Sequence, residues 1–361
     1  MAQRSVGLDI VRAVCVTGVV LTHFSPFFLP ATGLAGAFRS AVGLGSFGVT
    51  GFFLLSSYLL TGILLREIGN KRPNVWGRYW ARRALRIWPL YYLAVLVVSI
   101  VGLITATRVA GLPWLLTLTY NWVNWSDTNE LLGHFWSMCA EEQLYILIPI
   151  LSFIAFKWRW RILVGLIVIA PISRFLVATH LPYPAVWNFT TSHLDVFALG
   201  ALLASFDYAK HPRWIAVRAW ITRSWWSVAA VVAMALTLGI AAARDLSWVF
   251  GSVASTWTYV FAALVWTWLM LKLTQKPQTE VTSATRAPVW LGQRSYGVYV
   301  YHWPAVIFGT WLGTKVGIPL PVIGIVLIAA VLAFSEFSFR FIESPFLRLK
   351  SRFSRETVPV P

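Results

Sequence analysis

The feature that most constrains this fold is a series of long apolar segments, each near the length that crosses a bilayer. A membrane-spanning helix needs about 20 mostly apolar residues. We count ten such segments, at positions 8–28, 43–65, 88–107, 140–156, 160–179, 193–206, 225–243, 253–273, 295–313 and 319–341. Backbone polar groups in lipid must be satisfied within the segment, so each is predicted to be a helix. The sequence therefore predicts an all-α, polytopic membrane protein with about ten transmembrane helices.

The charged residues support this count and orient it. Only 12% of the 361 residues are charged and the net charge is +17, against about 25% charged residues in soluble domains. Of the 30 Lys and Arg residues, 25 lie in alternate connecting segments, beginning with the N-terminus. Basic residues concentrate on the cytoplasmic side. We therefore expect a multi-pass protein of the cytoplasmic (inner) membrane with both termini in the cytoplasm. Its expected partner is the lipid bilayer, and we do not expect it to bind nucleic acid.

The remaining segments predict one membrane domain over 1–349 and a short basic cytoplasmic tail over 350–361. The polar stretches 108–139 and 275–288 are predicted to be loops. The first apolar segment also resembles a signal peptide, but its length and its histidine favour a retained helix. With only two cysteines and no CxxC pair, we expect neither a metal site nor a disulfide framework.

Ionisable residues inside a span are candidate functional residues. Arg12 and His23 are eleven residues apart, so they share one helix face about 16 Å apart. The alternative is that both are interfacial, with the arginine extending to the headgroups. His302 lies in the ninth segment and is a further candidate for a polar interior.

Four arginines precede the third apolar segment. Arg78, Arg82 and Arg86 follow i,i+4 spacing, and Arg83 lies beside them. Such a cluster can fix topology or bind anionic lipid. It can also bind phosphate, because the guanidinium group makes paired hydrogen bonds to phosphate oxygens.

Two adjacent carboxylates open the fourth segment. Ser137, Glu141 and Tyr145 share one helix face, and Glu142 lies 100° around. Acidic residues favour helix N-termini, which explains one glutamate better than two. Relief of their repulsion is expected from the cations Arg174 and His193, which the predicted topology places on the same outer side of the membrane as the two glutamates. Asp195 follows His193 closely in the sequence.

Read in order, these segments resemble the acyltransferase-3 family of integral membrane acyltransferases. Arg12 and His23 match its arginine-x10-histidine signature. The further matching segments are GVTGFFLLSSYLLTGILLRE, RYWARRALRIWPLYY, FWSMCAEEQLY, HLDVFALGALLA, LGQRSYGVYVYHWP and FRFIESPF. The resemblance covers about residues 7–349. The sequence departs from the family pattern at three positions: Ser57 and Ile10 stand where glycine is usual, and His193 stands where arginine is more common. Some relatives carry a C-terminal hydrolase-like domain, and we expect this chain to be of the form without it, because it ends soon after the tenth segment.

The resemblance implies transfer of an acyl group, commonly acetyl, from an acyl-CoA co-substrate to a hydroxyl, with no permanently bound cofactor. Typical acceptors are envelope glycans, and a macrolide-type small molecule stays open. His23 is the expected base. One glutamate is expected to orient it or the acceptor, while a cation such as Arg174 holds the other. Arg12 would line the passage to the coenzyme A phosphates, which the arginine cluster would bind.

The substrate contacts expected are Ser137, Trp136, Tyr145, Arg174, His193, Asp195 and His302. Two alternative hypotheses for the function fit the same residues. A transporter also carries intramembrane charges, and an acyl conduit would pass acetyl groups to a separate transferase. The sequence leaves the acceptor, the acyl length, a covalent acyl-enzyme, the division of roles between Glu141 and Glu142, and the oligomeric state open.

Overall fold

A computed structural model describes residues 5–124, 126–275 and 280–353. Within these ranges the chain forms helices and short helical turns, with no strand. In chain order the α-helices are α1 (Val6–Phe28), α2 (Gly33–Gly43), α3 (Gly48–Gly69), α4 (Val75–Ile104), α5 (Leu112–Leu116), α6 (Trp136–Phe153), α7 (Phe156–His180), α8 (Ala185–Asn188), α9 (Leu194–Ala209), α10 (Pro212–Arg223), α11 (Trp225–Arg244), α12 (Leu246–Gly251), α13 (Ser255–Leu273), α14 (Ser283–Gly313), α15 (Leu320–Ser338) and α16 (Ser344–Arg352). The all-α prediction is confirmed for the described residues.

Each of the ten apolar segments coincides with a long helix. Among the described residues, seven helical stretches have the length and hydropathy of a membrane span: α1, Gly33–Gly69, α4, α7, Trp225–Ala243 within α11, α13 and Leu320–Leu349. Helix α9, with 16 residues, is too short for that set, and α6 and α14 are too polar for it, because polar residues and tyrosines interrupt their apolar sequences. The chain is therefore a multi-pass membrane protein.

Two helices begin well before the predicted segments. Helix α4 begins at Val75 rather than 88, because the side chain of Asn74 accepts a hydrogen bond from the Gly77 amide at 3.1 Å and caps its first turn. Helix α14 begins at Ser283 after a capping box formed by Thr282 and Thr285. The prediction of a loop over 275–288 is therefore wrong from 283 onward, and 276–279 lie outside the described residues. Both extensions bring polar turns into the helical bundle.

The third region that differs is 108–139, which was predicted to be a loop. It contains α5 and two short 3-10 turns, and α6 already begins at Trp136. At the other end of the chain, α15 continues through a π-helical segment, Phe339–Glu343, into α16. Of the predicted tail, 354–361 lie outside the described residues.

Glycines set the closest helix contacts, and these contacts give the direction of packing. A Cβ at Gly292 of α14 would lie 1.9 Å from the Asp9 carbonyl oxygen of α1, and one at Gly309 would lie 2.8 Å from the Phe27 ring. The two helices therefore run parallel. A Cβ at Gly48 of α3 would lie 2.2 Å from the Cys15 carbonyl oxygen. We call the end where α1 and α14 begin the proximal end, and the other the distal end.

Several helices present apolar faces to the outside of the bundle. Val97 of α4, Leu236 of α11 and Ile325 of α15 are 50%, 61% and 63% exposed. Patches of this kind mark contact with another apolar medium, which for helices of this length is lipid. The bundle interior is therefore where charged side chains need protein partners.

Candidate active site

A cavity of about 250 Å³ lies inside the bundle, between α1, α3, α4, α6 and α14. Apolar residues of α3 form much of its wall. Its polar lining consists of Arg12, Ser56, Arg83, Arg86, Ser137, Glu141, Tyr145, Ser295, Tyr296 and Tyr299. Of the predicted site residues, six therefore meet here although they belong to three different helices.

The cavity wall carries more positive than negative charge. Arg12 forms an ion pair with Asp9 at 2.8 Å. Arg83 lies over the Tyr145 ring, 4.8 Å from its centroid, and its buried Nε has no hydrogen-bond partner. Arg86 completes three guanidinium groups on the wall, against the single lining carboxylate of Glu141. An anionic ligand fits this balance better than a neutral or cationic one.

The two glutamates have different environments. Glu141 lines the cavity and accepts a hydrogen bond from the Tyr145 hydroxyl. Glu142 faces away from it, buried, with one oxygen 3.4 Å from the Trp88 indole nitrogen and the other without a partner. Neither contacts His23 or Arg174 in the hydrogen bonds and ion pairs of the described residues. The prediction that Arg174 holds a glutamate is wrong, because α6 lies against the arginines of α4 instead.

The arginine cluster divides between two environments. Arg82 forms a bidentate salt bridge with Glu67, with its two Nη atoms 2.8 and 2.9 Å from the two carboxylate oxygens. It also donates a hydrogen bond to the Phe353 carbonyl oxygen at 3.1 Å. Arg83 points into the cavity, because consecutive helical residues lie 100° apart. Arg86 follows it by about one turn. Arg78 and Arg82 do not line the cavity. The prediction that all four arginines bind phosphate together is therefore wrong.

Three histidines meet beyond one end of the cavity, behind Tyr299. His23 Nδ1 lies 3.1 Å from His302 Nε2, and their ring centroids are 5.1 Å apart. The His134 ring packs edge-on to His302 at 5.2 Å, and Trp303 packs edge-on to His23 at 4.9 Å. The cluster joins α1, α14 and the turn before α6.

Tyr299 stands between the cavity and the histidines. It lines the cavity together with Ser137, and its hydroxyl lies 2.5 Å from Ser137 Oγ. On its other side, its ring is 5.3 Å from His302 and 5.4 Å from His134. None of the three histidines lines the cavity itself. A group held in the cavity would therefore pass Tyr299 to reach His23.

The remaining predicted substrate contacts form a separate buried cluster. Arg174 pairs with Asp195 at 2.7 Å and donates to the Ser192 carbonyl oxygen. His193 lies beside them and stacks on Trp136, with ring centroids 5.6 Å apart. The structure does not bring this cluster to the cavity. A guanidinium buried among helices needs a carboxylate partner, and Asp195, which follows two residues after His193, supplies it.

Several residues that build the site were not predicted from the sequence. His134 and Tyr299 were not singled out, although the spacing of Tyr299, His302 and Trp303 along α14 indicates one polar face. Glu67 was missed as the partner of Arg82. Gln143 was also missed: it accepts hydrogen bonds from Thr190 at 2.6 Å and from Trp122 at 3.0 Å, and so ties the distal turns to α6.

In the part of the chain that the structure describes, no group of three or more His, Cys, Asp or Glu residues is arranged to hold a metal ion. Both cysteines are free and buried. His23 and His302 are hydrogen-bonded to each other, and His134 and His302 are each hydrogen-bonded to a backbone carbonyl oxygen.

The fold and the cavity define a polytopic membrane protein with a cationic internal site beside a histidine cluster. The family model described as "Acyltransferase domain" (Acyl_transf_3) matches residues 5–335. The chain therefore belongs to the acyltransferase-3 family, and the resemblance of its motifs is confirmed.

Named relatives agree with this assignment. The chain is 26% identical over 375 residues to a Staphylococcus aureus (strain COL) protein named "Putative O-acetyltransferase SACOL0978", covering 94% of this chain and 57% of the relative. It is 26% identical over 367 residues to O-acetyltransferase OatA of Staphylococcus aureus (strain NCTC 8325), covering 94% of this chain and 56% of the relative. The chain thus spans little more than half the length of these curated relatives. No solved structure matches it significantly.

Proposed function

We propose that this protein is a membrane O-acyltransferase that moves an acetyl group from acetyl-CoA to a hydroxyl of an envelope glycan. Both relatives carry O-acetyltransferase names, and this supports the reaction class. The observation that carries the proposal is the position of the cationic cavity directly beside the histidine cluster. The cavity suits an anionic donor, and the cluster supplies a base.

The donor would enter from the proximal end. Ten helices are proposed to cross the membrane, with both termini in the cytoplasm, because the basic residues concentrate at that end. Arg83 and Arg86 would bind the coenzyme A phosphates, each by charge-assisted hydrogen bonds. Arg12 lies about 16 Å along α1 from His23, a separation that the pantetheine arm can span. The thioester would then lie near Tyr299.

The acceptor would enter from the distal end. His23 and Trp303 are both partly exposed there, whereas His302 is buried. Trp303 is held by a hydrogen bond from its indole nitrogen to the Glu130 carbonyl oxygen at 2.7 Å. Its flat face beside His23 can stack on a sugar ring. This is a better-placed platform than Trp136, which is buried against His193.

In the proposed reaction, His23 removes the proton of the acceptor hydroxyl as its oxygen attacks the thioester carbonyl. The new C–O bond forms, the C–S bond breaks, and the coenzyme A thiolate leaves and takes up that proton. Tyr299 and Ser137, at the boundary between donor and base, can donate hydrogen bonds to the oxyanion that develops on the carbonyl. No residue in this sequence of steps needs a metal or a resident cofactor.

Purified protein in lipid nanodiscs tests the proposal. With [¹⁴C]acetyl-CoA and membrane glycan, we expect label on the glycan and equimolar coenzyme A. His23→Ala should abolish both, whereas His180→Ala, an exposed control at the end of α7, should abolish neither. Coenzyme A release without an ester product would indicate an acyl conduit, and transport without coenzyme A release a transporter. Label on a macrolide but not on glycan would place the acceptor among small molecules.

A further inference from the structure

The proton positions on His302 follow from its partners. Its Nδ1 lies 2.5 Å from the Tyr299 carbonyl oxygen, and a carbonyl oxygen only accepts hydrogen bonds. Nδ1 of His302 therefore carries a proton. The side chain is fully buried, and no described carboxylate forms an ion pair with it. Burial without a counter-charge disfavours a charged ring, so Nε2 of His302 has no proton and presents a lone pair.

That lone pair faces His23. Nε2 of His302 lies 3.1 Å from Nδ1 of His23, and the two ring planes differ by 27°. Because the centroid separation of 5.1 Å exceeds the 3.1 Å between the two nitrogens by about 2 Å, the nitrogens lie between the two ring centres, as a hydrogen bond between ring nitrogens requires. Since His302 Nε2 can only accept, His23 Nδ1 must donate. The proton of neutral His23 is therefore on Nδ1, and its Nε2 is free to accept a proton.

We propose that His302 is a positioning residue that fixes the tautomer and orientation of His23, so that Nε2 of His23 is the base. The inference rests on the proposed function, in which His23 takes the acceptor proton. It gives His302 the role that a carboxylate has in hydrolase triads. A neutral acceptor does this without a second charge inside the membrane, where an ionised side chain is costly.

The surroundings hold His302 in this role. The hydrogen bond to Tyr299 fixes one edge of the ring, and Tyr299 precedes it by three residues on α14. His134 packs edge-on against the ring and is itself held by a bond from its Nε2 to the Val300 carbonyl oxygen at 3.2 Å. When His23 becomes an imidazolium, its Nδ1–H bond to His302 strengthens, because the donor is then charged.

Two substitutions separate positioning from packing. In His302→Gln, the amide oxygen can reach the place of Nε2 and accept from His23. In His302→Asn, the amide NH₂ can replace Nδ1 toward the Tyr299 carbonyl oxygen but offers His23 no acceptor. We expect His302→Gln to keep kcat within about tenfold of wild type and His302→Asn to lose about a hundredfold, within the range of general-base effects. KM for acetyl-CoA and melting temperature should be equal in the two variants.

The outcomes distinguish the two proposals. Equal kcat in His302→Gln and His302→Asn, with His23→Ala inactive, overturns the positioning role and leaves the proposed function intact. Absence of transfer by the wild-type protein overturns the proposed function. ¹⁵N-histidine solid-state NMR of the wild-type protein provides a test that needs no His302 variant: the resonance missing from His23→Ala should show Nδ1 protonated and Nε2 unprotonated. The opposite tautomer overturns the inference.

Discussion

Replacing Arg82 or Arg83 by glutamine should have different effects, a loss of stability for Arg82→Gln and a loss of donor affinity for Arg83→Gln. Arg83 lines the cavity, has an unpartnered buried Nε, and forms no ion pair with a described carboxylate. Arg82 is 8% exposed and held by two bonds to Glu67. Arg83→Gln would remove a proposed phosphate contact, and Arg82→Gln leaves a buried carboxylate with a weakened partner.

The magnitudes follow from these contacts. A hydrogen bond to a charged group contributes about 1.5–3 kcal/mol, so Arg83→Gln should weaken acetyl-CoA binding about 10- to 150-fold. Breaking a buried ion pair costs about 3–5 kcal/mol. We expect about 3 kcal/mol for Arg82→Gln, because Arg72 remains 3.9 Å from Glu67. With an unfolding entropy of about 2.1 cal/mol/K per residue, this lowers the melting temperature by about 4 °C.

Calorimetric titration of coenzyme A and thermal unfolding in one detergent measure both quantities. Glu67→Gln is the matched control: it should reproduce the loss of stability of Arg82→Gln and leave donor affinity near wild type. If Arg82→Gln weakens donor binding as much as Arg83→Gln while its melting temperature stays unchanged, then the division of the arginine cluster is wrong.

His23→Ala should keep the protein folded in the membrane and reduce transfer by at least about a hundredfold; more than a tenth of wild-type turnover would remove His23 as the base. Glu141→Gln should lower turnover more than about tenfold, because it removes the one carboxylate on the cavity wall, while Glu142→Gln should stay within about threefold; equal turnover in the two would contradict their separate environments. Gly292→Ala should destabilise by more than about 2 kcal/mol, since its Cβ would overlap the Asp9 carbonyl oxygen of α1. Gly165→Ala, with open space around it, should be neutral or slightly stabilising in thermal unfolding.

The departures from the family pattern have local explanations in part. Ser57 donates a hydrogen bond to the Phe197 carbonyl oxygen at 2.5 Å, so its hydroxyl is satisfied where α3 packs on α9. His193 is enclosed by aromatic rings and donates from Nε2 to the Trp187 carbonyl oxygen at 2.8 Å. Nothing in the structure explains Ile10.

The sequence by itself determined the helical membrane fold. Apolar segments near 20 residues long leave a chain in lipid no other way to satisfy its backbone, and all ten coincide with helices. The sequence also predicted that Ser137, Glu141 and Tyr145 share one helix face, because that depends only on the 3.6-residue period of the helix. The starts of α4 and α14 were not, because a cap formed by one or two polar side chains decides them within a charged stretch.

The tertiary structure alone decided which polar groups meet. Arg83 and Glu141 come from different helices, and the sequence placed them on opposite sides of the membrane. Parallel packing of α1 and α14, set by the close contact at Gly292, brings His302 to His23 across 279 positions of chain. Arg82 and Arg83 look alike in the sequence but lie 100° apart on the helix, so the first meets Glu67 and the second the cavity. Hydrophobic periodicity specifies which face is buried, whereas the partner of each buried charge depends on contacts between segments distant in the chain.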